Sequence, residues 1–271
     1  MKILTRLALA AAMATAPMLA AGAAERPATV RVTYVASPFN VPSIVMRKKG
    51  YLEEAFGALG VKIESPEITS GAAQTQALAA GAVDIASVLG GTSAILGRAN
   101  GIDLSVIAAY SRSPKAFFVL AGPSGPASIE ELKGKTVAGP KGTTLNQLLA
   151  AALAKNGMTL ADVEYVNMDL PAARAALLAG KVDAATLAGA NALLVEAAGG
   201  RVLASGDGLI APTTVIAARG AFLREHPDLV EAYLEAHSKA IAFMREHPEE
   251  ALEIAAADQK ISLADARRQL P

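Results

Sequence analysis

Four stretches of this chain set glycine beside small polar residues in a way that suits the capture of an anion. They are Ser37-Pro38-Phe39-Asn40, Thr69-Ser70-Gly71, Gly90-Gly91-Thr92-Ser93 and Gly139-Pro140-Lys141-Gly142-Thr143-Thr144. Glycine lets a ligand approach the backbone closely, and a hydroxyl or amide adds a neutral donor. Each stretch follows a predicted strand and opens a predicted helix, whose first N–H groups lack intrahelical acceptors and carry roughly half a positive charge. Several neutral donors of this kind can hold a permanently ionised sulfonate without a buried cation, which would itself cost desolvation. The helix start at Gly142, Thr143 and Thr144 is the sharpest of the four. It is not a Walker loop, because the order Gly-x-x-x-x-Gly-Lys-Ser/Thr is absent. Plainer roles stay open at each point: Thr143 or Thr144 as a cap of its own helix, Ser37 and Asn40 as N-caps, and Gly90 as a turn that the fold requires.

Other chemistries find little support. The chain has no cysteine, which removes disulfides, thiol nucleophiles and lipid attachment. Its three histidines, His226, His237 and His247, all fall in a C-terminal helical region, and no His-x-x-x-His pair occurs, so no metal and no cofactor are expected. Asp84 and Asp183 are expected to brace equivalent strands and to have no acid–base role. Arg112, next to Tyr110 in the expected hinge, could reach a ligand carboxylate or a hinge carbonyl, and the second is the expectation.

The elements that must position these turns come from a repeat. At a constant offset of 99, Ala73 to Ile95 aligns with Ala172 to Leu194, matching Gly81 with Gly180, Val83 with Val182, Asp84 with Asp183 and Gly90 with Gly189. Each copy reads as an amphipathic helix ended by a glycine cap, a short buried strand opened by Val-Asp, and a glycine turn into another helix. Around the first copy lie strands Val30 to Val35 and Val61 to Ile68 and a helix Val41 to Lys48. Around the second lie strands Thr136 to Ala138 and Val163 to Val166 and a helix Leu145 to Asn156. Ser128 to Glu131 has the pattern of a capping box. Such alternation predicts two α/β lobes of mostly parallel strands with helices on both faces. Ile107 to Leu120 and Thr213 to Ala218 are expected to be two hinge crossings. The helices from Phe222 to Ala257 then return to the first lobe.

Lys2 and Arg6 precede an apolar run from Leu7 to Leu19 that ends in small residues, the order of a secretory signal peptide cleaved near Ala23 or Ala24. Export to the periplasm follows. Removing residues 1–24 leaves 23 basic against 25 acidic side chains, a balance that gives no reason to expect nucleic acid. With 4% aromatic residues and no tryptophan, bulky aromatic ligands are disfavoured. The expected organisation is a signal peptide at 1–24, a first lobe at 25–111 and 213–271, and a second lobe at 112–212.

Taken in order, Ser37-Pro38-Phe39-Asn40, Tyr51-Leu52-Glu53-Glu54, Leu78 to Ala86, Glu131 to Ala138, Lys141-Gly142-Thr143-Thr144, Leu178 to Ala184 and His226-Pro227-Asp228-Leu229-Val230 resemble the nitrate, sulfonate and taurine class of periplasmic binding proteins of ABC transporters. The likeness runs over nearly all of the chain after the signal peptide. It implies a two-lobe type II periplasmic binding protein fold, acting as a monomer, that closes on a small anionic ligand such as an alkyl sulfonate, taurine or nitrate. It also implies delivery to ABC transporter permease subunits. Contacts are implied from Ser37, Phe39 and Asn40, from Ser70 and Gly71, from Gly91 and Thr92, from Gly142, Thr143 and Thr144, and from Asn191 in the second repeat. Where family members often carry an aromatic residue, this chain has Ala188-Gly189-Ala190-Asn191-Ala192. Members usually continue for some tens of residues past the point matching Pro271, which implies an unfinished first lobe. Two alternatives share the fold: a binder of a pyrimidine or aromatic acid, and an enzyme similar to thiamine-pyrimidine synthases, which relies on cysteine and histidine at the cleft.

Overall fold

The computed structural model describes residues 25–35 and 40–269. The expected signal peptide and the expected ligand residues Ser37 and Phe39 lie outside the described residues. The first sheet and its helices comprise β1 (Thr29–Arg31), α1 (Val41–Lys48), α2 (Tyr51–Gly57), β2 (Lys62–Glu64), α3 (Gly71–Ala79), β3 (Ile85–Gly90), α4 (Gly91–Ala99) and β4 (Leu104–Arg112). The chain then crosses through a 3-10 turn at Pro114–Ala116 into β5 (Phe117–Ala121), β6 (Thr136–Gly139), α5 (Thr144–Lys155), β7 (Glu164–Asn167), α6 (Leu170–Leu178), β8 (Ala184–Ala188), α7 (Ala190–Ala197) and β9 (Arg201–Ser205). It returns with β10 (Thr213–Arg219), followed by α8 (Gly220–Glu225), α9 (Pro227–Glu246), α10 (Pro248–Gln259) and α11 (Leu263–Gln269).

The two sheets have one topology. The second runs β7-β6-β8-β5-β9, with β5 antiparallel to its neighbours and the other four strands aligned. In the first, β3-β10-β4 has β10 antiparallel in the same place, and a parallel bridge from Val32 to Ile85 joins it to the parallel pair β1-β2. The matching order is therefore β2-β1-β3-β10-β4. The repeated aspartates do the same work in both: Asp84 accepts the Arg31 N–H at 3.0 Å, and Asp183 accepts the Thr136 N–H at 2.9 Å. Each carboxylate ties the strand it opens to the neighbouring strand, at the last residue of β1 in the first sheet and at the first residue of β6 in the second.

Alternation along the buried strands supplies two cores per sheet. On one face of the first sheet Val30, Val32, Ile85 and Ile216 pack with α1, α2, α9 and α10; on the other, Ala86, Leu89 and Ala217 meet Leu78 and Ala94 of α3 and α4. The second sheet divides in the same way, with Val137 and Ala184 toward α5 and Ala138 and Ala185 toward α6 and α7. The C-terminal helices thus pack on the first lobe, and Pro227 and Pro248 begin α9 and α10 as their Arg-Glu-His-Pro context predicts.

Two local expectations are corrected. Ser128 and Glu131 do not form a reciprocal capping box. Glu131 accepts the Ala127 N–H at 2.8 Å, while the Ser128 hydroxyl goes to the Glu130 carboxylate, because the segment tightens into a 3-10 turn at Glu130–Leu132. The expected hinge stretches are β-rich, as their composition suggests, but β4 and β10 stay paired as far as Arg112 and Thr213, so the crossings narrow to the link before β5 and the link after β9.

His237, near the middle of α9, is 8% exposed and lies 5.4 Å from the Tyr110 ring centre and parallel to the Tyr233 ring. Its Nδ1 has no hydrogen-bond partner among the described residues, and burial lowers its pKa. The unfolded chain therefore gains this proton first as pH falls, so stability is full above the ordinary histidine value and declines below it. We expect thermal unfolding followed from pH 7.5 to 5 to show a falling melting temperature, and His237→Leu, which removes the orphaned nitrogen, to flatten that decline.

Candidate functional site

A cavity of about 210 Å³ lies between the carboxyl ends of the two sheets. Five helix starts reach its lining: Ser70 and Gly71 at α3, Gly90 and Ser93 at α4, Thr143, Thr144 and Leu145 at α5, Leu170 and Pro171 at α6, and Asn191 at α7. This is where parallel α/β sheets place unpaired N–H groups. Val35, Val88, Phe117 and Ala188 add apolar wall, and Thr69, Thr214 and Glu67 complete the polar part.

The two threonines of the sharpest stretch divide their roles. Thr143 is the N-cap of α5: its Oγ1 donates to the Pro140 carbonyl at 2.8 Å and accepts the Leu145 N–H at 3.2 Å, so its hydroxyl is spent locally. Thr144, 5% exposed, has no side-chain partner among the described residues and faces the cavity one position later. Ser70 behaves likewise. It is the N-cap of α3 but makes no side-chain cap bond, unlike its repeat equivalent Asp169, which accepts the Ala172 N–H at 2.9 Å. Asn191 is held by Arg174, whose Nη1 donates to its Oδ1 at 3.0 Å, leaving the amide N–H groups for the cavity. Behind the wall, Tyr165 shares a 3.1 Å hydrogen bond with Thr186, and burial pushes its phenol up to about 12, so it remains a neutral prop. Lys141 is not part of the lining: its backbone is held by Asn167, and its Nζ lies over the Tyr165 ring.

Of the expected ligand residues, the structure brings Ser70, Gly71, Thr143, Thr144 and Asn191 to one cavity. Gly91, Thr92, Gly142 and Asn40 lie outside its lining. Gly91 packs on the return strand, where a Cβ would come 3.0 Å from the Thr213 carbonyl, and Thr92 donates to Gln147 Oε1 at 2.7 Å on the outer side. Gly142 takes a left-handed φ of 69° and accepts from Ser93 Oγ at 2.9 Å. Asn40, fully buried, donates to the Val35 carbonyl at 2.7 Å. The Thr92–Gln147 and Ser93–Gly142 bonds join the two lobes directly, so the cleft is shut. Sequence reasoning missed Glu67, Phe117, Leu145, Leu170, Pro171 and Thr214 as lining. The repeat could have found two of these, since the offset of 99 maps Ser70-Gly71-Ala72 onto Asp169-Leu170-Pro171.

The sequence model of the family described as NMT1/THI5 like matches residues 38–251. The chain belongs to this family. It is 32% identical over 217 residues to a Bacillus subtilis (strain 168) protein named "Putative aliphatic sulfonates-binding protein", covering 79% of this chain and 65% of that one, just under two thirds of that protein's length. It is similar to the alkanesulfonate-binding protein SsuA from Xanthomonas axonopodis pv. citri bound to MOPS, with a TM-score of 0.80 at 24% identity over 91% of this chain and 84% of that one. It is also similar to the periplasmic nitrate-binding protein NrtA from Synechocystis PCC 6803, with a TM-score of 0.71 at 17% identity over 88% and 68% of the two chains. At these identities the two solved structures establish the fold, which is the two-lobe periplasmic binding protein fold expected from the sequence.

The closed cleft leaves little room at Gly90, where a Cβ would lie 3.1 Å from Thr144 Oγ1 across the lobes. Overpacking of this order costs about 1–3 kcal/mol, and it is felt only when the lobes meet. Gly90→Ala should therefore weaken binding of a cleft ligand by about tenfold or more in titration calorimetry while leaving the melting temperature of the unliganded protein nearly unchanged.

Proposed function

We propose that this member of the NMT1/THI5-like family is the solute-binding component of an ABC importer, acting outside the cytoplasmic membrane, and that it encloses a small organic oxyanion, a sulfonate first, between its lobes. The observation that supports this most is the convergence of five helix starts, with unspent hydroxyls at Ser70 and Thr144 and the oriented amide of Asn191, on a cavity that no lysine or arginine among the described residues lines. Such a site stabilises negative charge through fixed dipoles, and it avoids stranding a buried cation when empty. A sulfonate stays ionised at any physiological pH, so it takes full advantage of donors that cannot supply a proton of their own. The name of the Bacillus subtilis relative points the same way.

The apolar wall favours an oxyanion that carries a short carbon tail over bare nitrate. Phe117, Val35, Val88 and Leu170 give that tail apolar area to cover. Binding energy of about 8 kcal/mol, that of a micromolar ligand, can shift the equilibrium between open and closed lobes, and the closed shape is the form that permease subunits would read. The enzyme alternative similar to thiamine-pyrimidine synthases, which relies on cysteine and histidine at the cleft, is less favoured: the chain has no cysteine, and no histidine is among the described lining residues.

Titration of the purified chain with methanesulfonate, ethanesulfonate, taurine and nitrate tests the reading. We expect at least one sulfonate to bind and raise the melting temperature. Thr144→Val should weaken that sulfonate by about tenfold or more, because a hydrogen bond to a charged group contributes about 1.5–3 kcal/mol. Thr143→Val should instead lower the melting temperature, with about 1 kcal/mol of lost capping. If no compound in the set binds, or if Thr144→Val leaves affinity unchanged, the oxyanion assignment is wrong.

A further inference from the structure

Asn191 lines the cavity at the start of α7, and the side chain that holds it, Arg174, does not line the cavity itself. Arg174 stands on α6 one turn after Leu170 and Pro171, on the face that those two lining residues share. It is half-buried, and it takes part in no ion pair among the described residues. Arg47, Arg219 and Arg224 each meet an aspartate instead. The duplication shows that the fold does not demand the Arg174–Asn191 bond. At the offset of 99, Arg174 corresponds to Thr75 and Asn191 to Thr92. Thr75 donates to the Ala72 carbonyl at 2.8 Å and Thr92 to Gln147, so the first lobe holds the same pair of helices with no bond between these positions.

The two ends of an asparagine amide have nearly one shape and opposite chemistry, so a partner must decide which end faces a ligand. A guanidinium offers donors only, and it can meet nothing but the amide oxygen. The NH2 group is then left for the cavity. Resting on the oxyanion reading above, we infer that Arg174 is a positioning residue for the ligand: it locks the Asn191 amide with its N–H groups toward the cavity and passes positive charge to the oxyanion through that amide. A donor bonded to a charged group is the stronger kind, and hydrogen bonds in a chain polarise one another in the same sense. The cation itself stays at one remove, half-exposed to water, where it escapes the desolvation that a cleft-lining arginine would meet. Without Arg174 the amide is free to turn its oxygen inward, which repels an anion and suits a ligand with an N–H of its own.

The test measures methanesulfonate, ethanesulfonate and the neutral isostere ethanesulfonamide by titration calorimetry on the full chain. Arg174→Gln keeps the stem and a polar end but can accept as well as donate. It should weaken both sulfonates by about tenfold, leave ethanesulfonamide nearly unchanged, and leave the melting temperature of the unliganded protein within about 2 °C of wild type. Arg174→Lys, which again offers donors only, should restore most of the sulfonate affinity. In an Asn191→Ala background, which should itself weaken the sulfonates, Arg174→Gln should cost nothing further, because its effect runs through the amide. Equal weakening of sulfonate and sulfonamide, additive losses in the double variant, or unchanged sulfonate affinity in Arg174→Gln overturns the role of Arg174 while leaving the oxyanion site standing. Failure of wild type to bind either sulfonate overturns both.

Discussion

Five helices begin at the edge of one cavity, and the first backbone N–H groups of each have no acceptor within their own helix. Side chains can satisfy some of them, as Thr143 does for α5 and Asp169 for α6. At α3 and α4 the preceding residues, Ser70 and Gly90, make no side-chain cap bond. The uncapped starts, with the unspent Thr144 hydroxyl, line the gap between the lobes with hydrogen-bond donors carried by neutral groups. Much of the surrounding architecture can be understood as what is needed to bring these helix starts together: two sheets of one topology, facing each other by their carboxyl ends.

The repeat makes this possible with little new sequence. Asp84 and Asp183 tie equivalent strands, and Gly90 and Gly189 turn equivalent chains into equivalent helices. Gly189 needs its glycine for a φ of 56°, whereas Gly90 has an ordinary backbone and is constrained by its neighbour Thr144 across the cleft. The same position is thus kept for a conformational reason in one lobe and for a closing distance in the other. The C-terminal helices pack on one face of the first sheet. Arg47 and Tyr34 both reach Asp258 of α10, whose carboxyl burial pushes up, but hydrogen bonds from Tyr34 and Lys48 and the charges of Arg47 and Lys48 hold it below the usual carboxylate range. Tyr34 also pairs with Glu67 in a parallel bridge, so the packing of the C-terminal helices reaches the edge of the cavity.

Periodicity and turn chemistry made the fold legible. Val41 to Lys48, the alternation of strands and helices, and the Gly-x-Val-Asp repeat each follow from local preferences that the packed structure keeps. The site was legible to the level of the loop and not of the residue. A helix advances 100° per position, so Gly90 and Ser93 face the cavity while Gly91 faces the return strand and Thr92 faces Gln147. Which of Thr143 and Thr144 caps the helix depends on where the first turn begins, and a shift of one residue exchanges their roles. Glu67 was hidden for a different reason. In sequence it is one acidic residue in a polar stretch, Glu64-Ser65-Pro66-Glu67, and only its non-local pairing with Tyr34 brings it to the cavity.

The most direct measurement of the central claim is a crystal structure of the protein grown with an alkanesulfonate. The account predicts sulfonate oxygens within hydrogen-bonding distance of Thr144 Oγ1 and of N–H groups at the starts of α3 and α5, with the carbon tail against Phe117. A sulfonate seated elsewhere, or held in the cleft by a lysine or arginine side chain in place of these neutral donors, would contradict it.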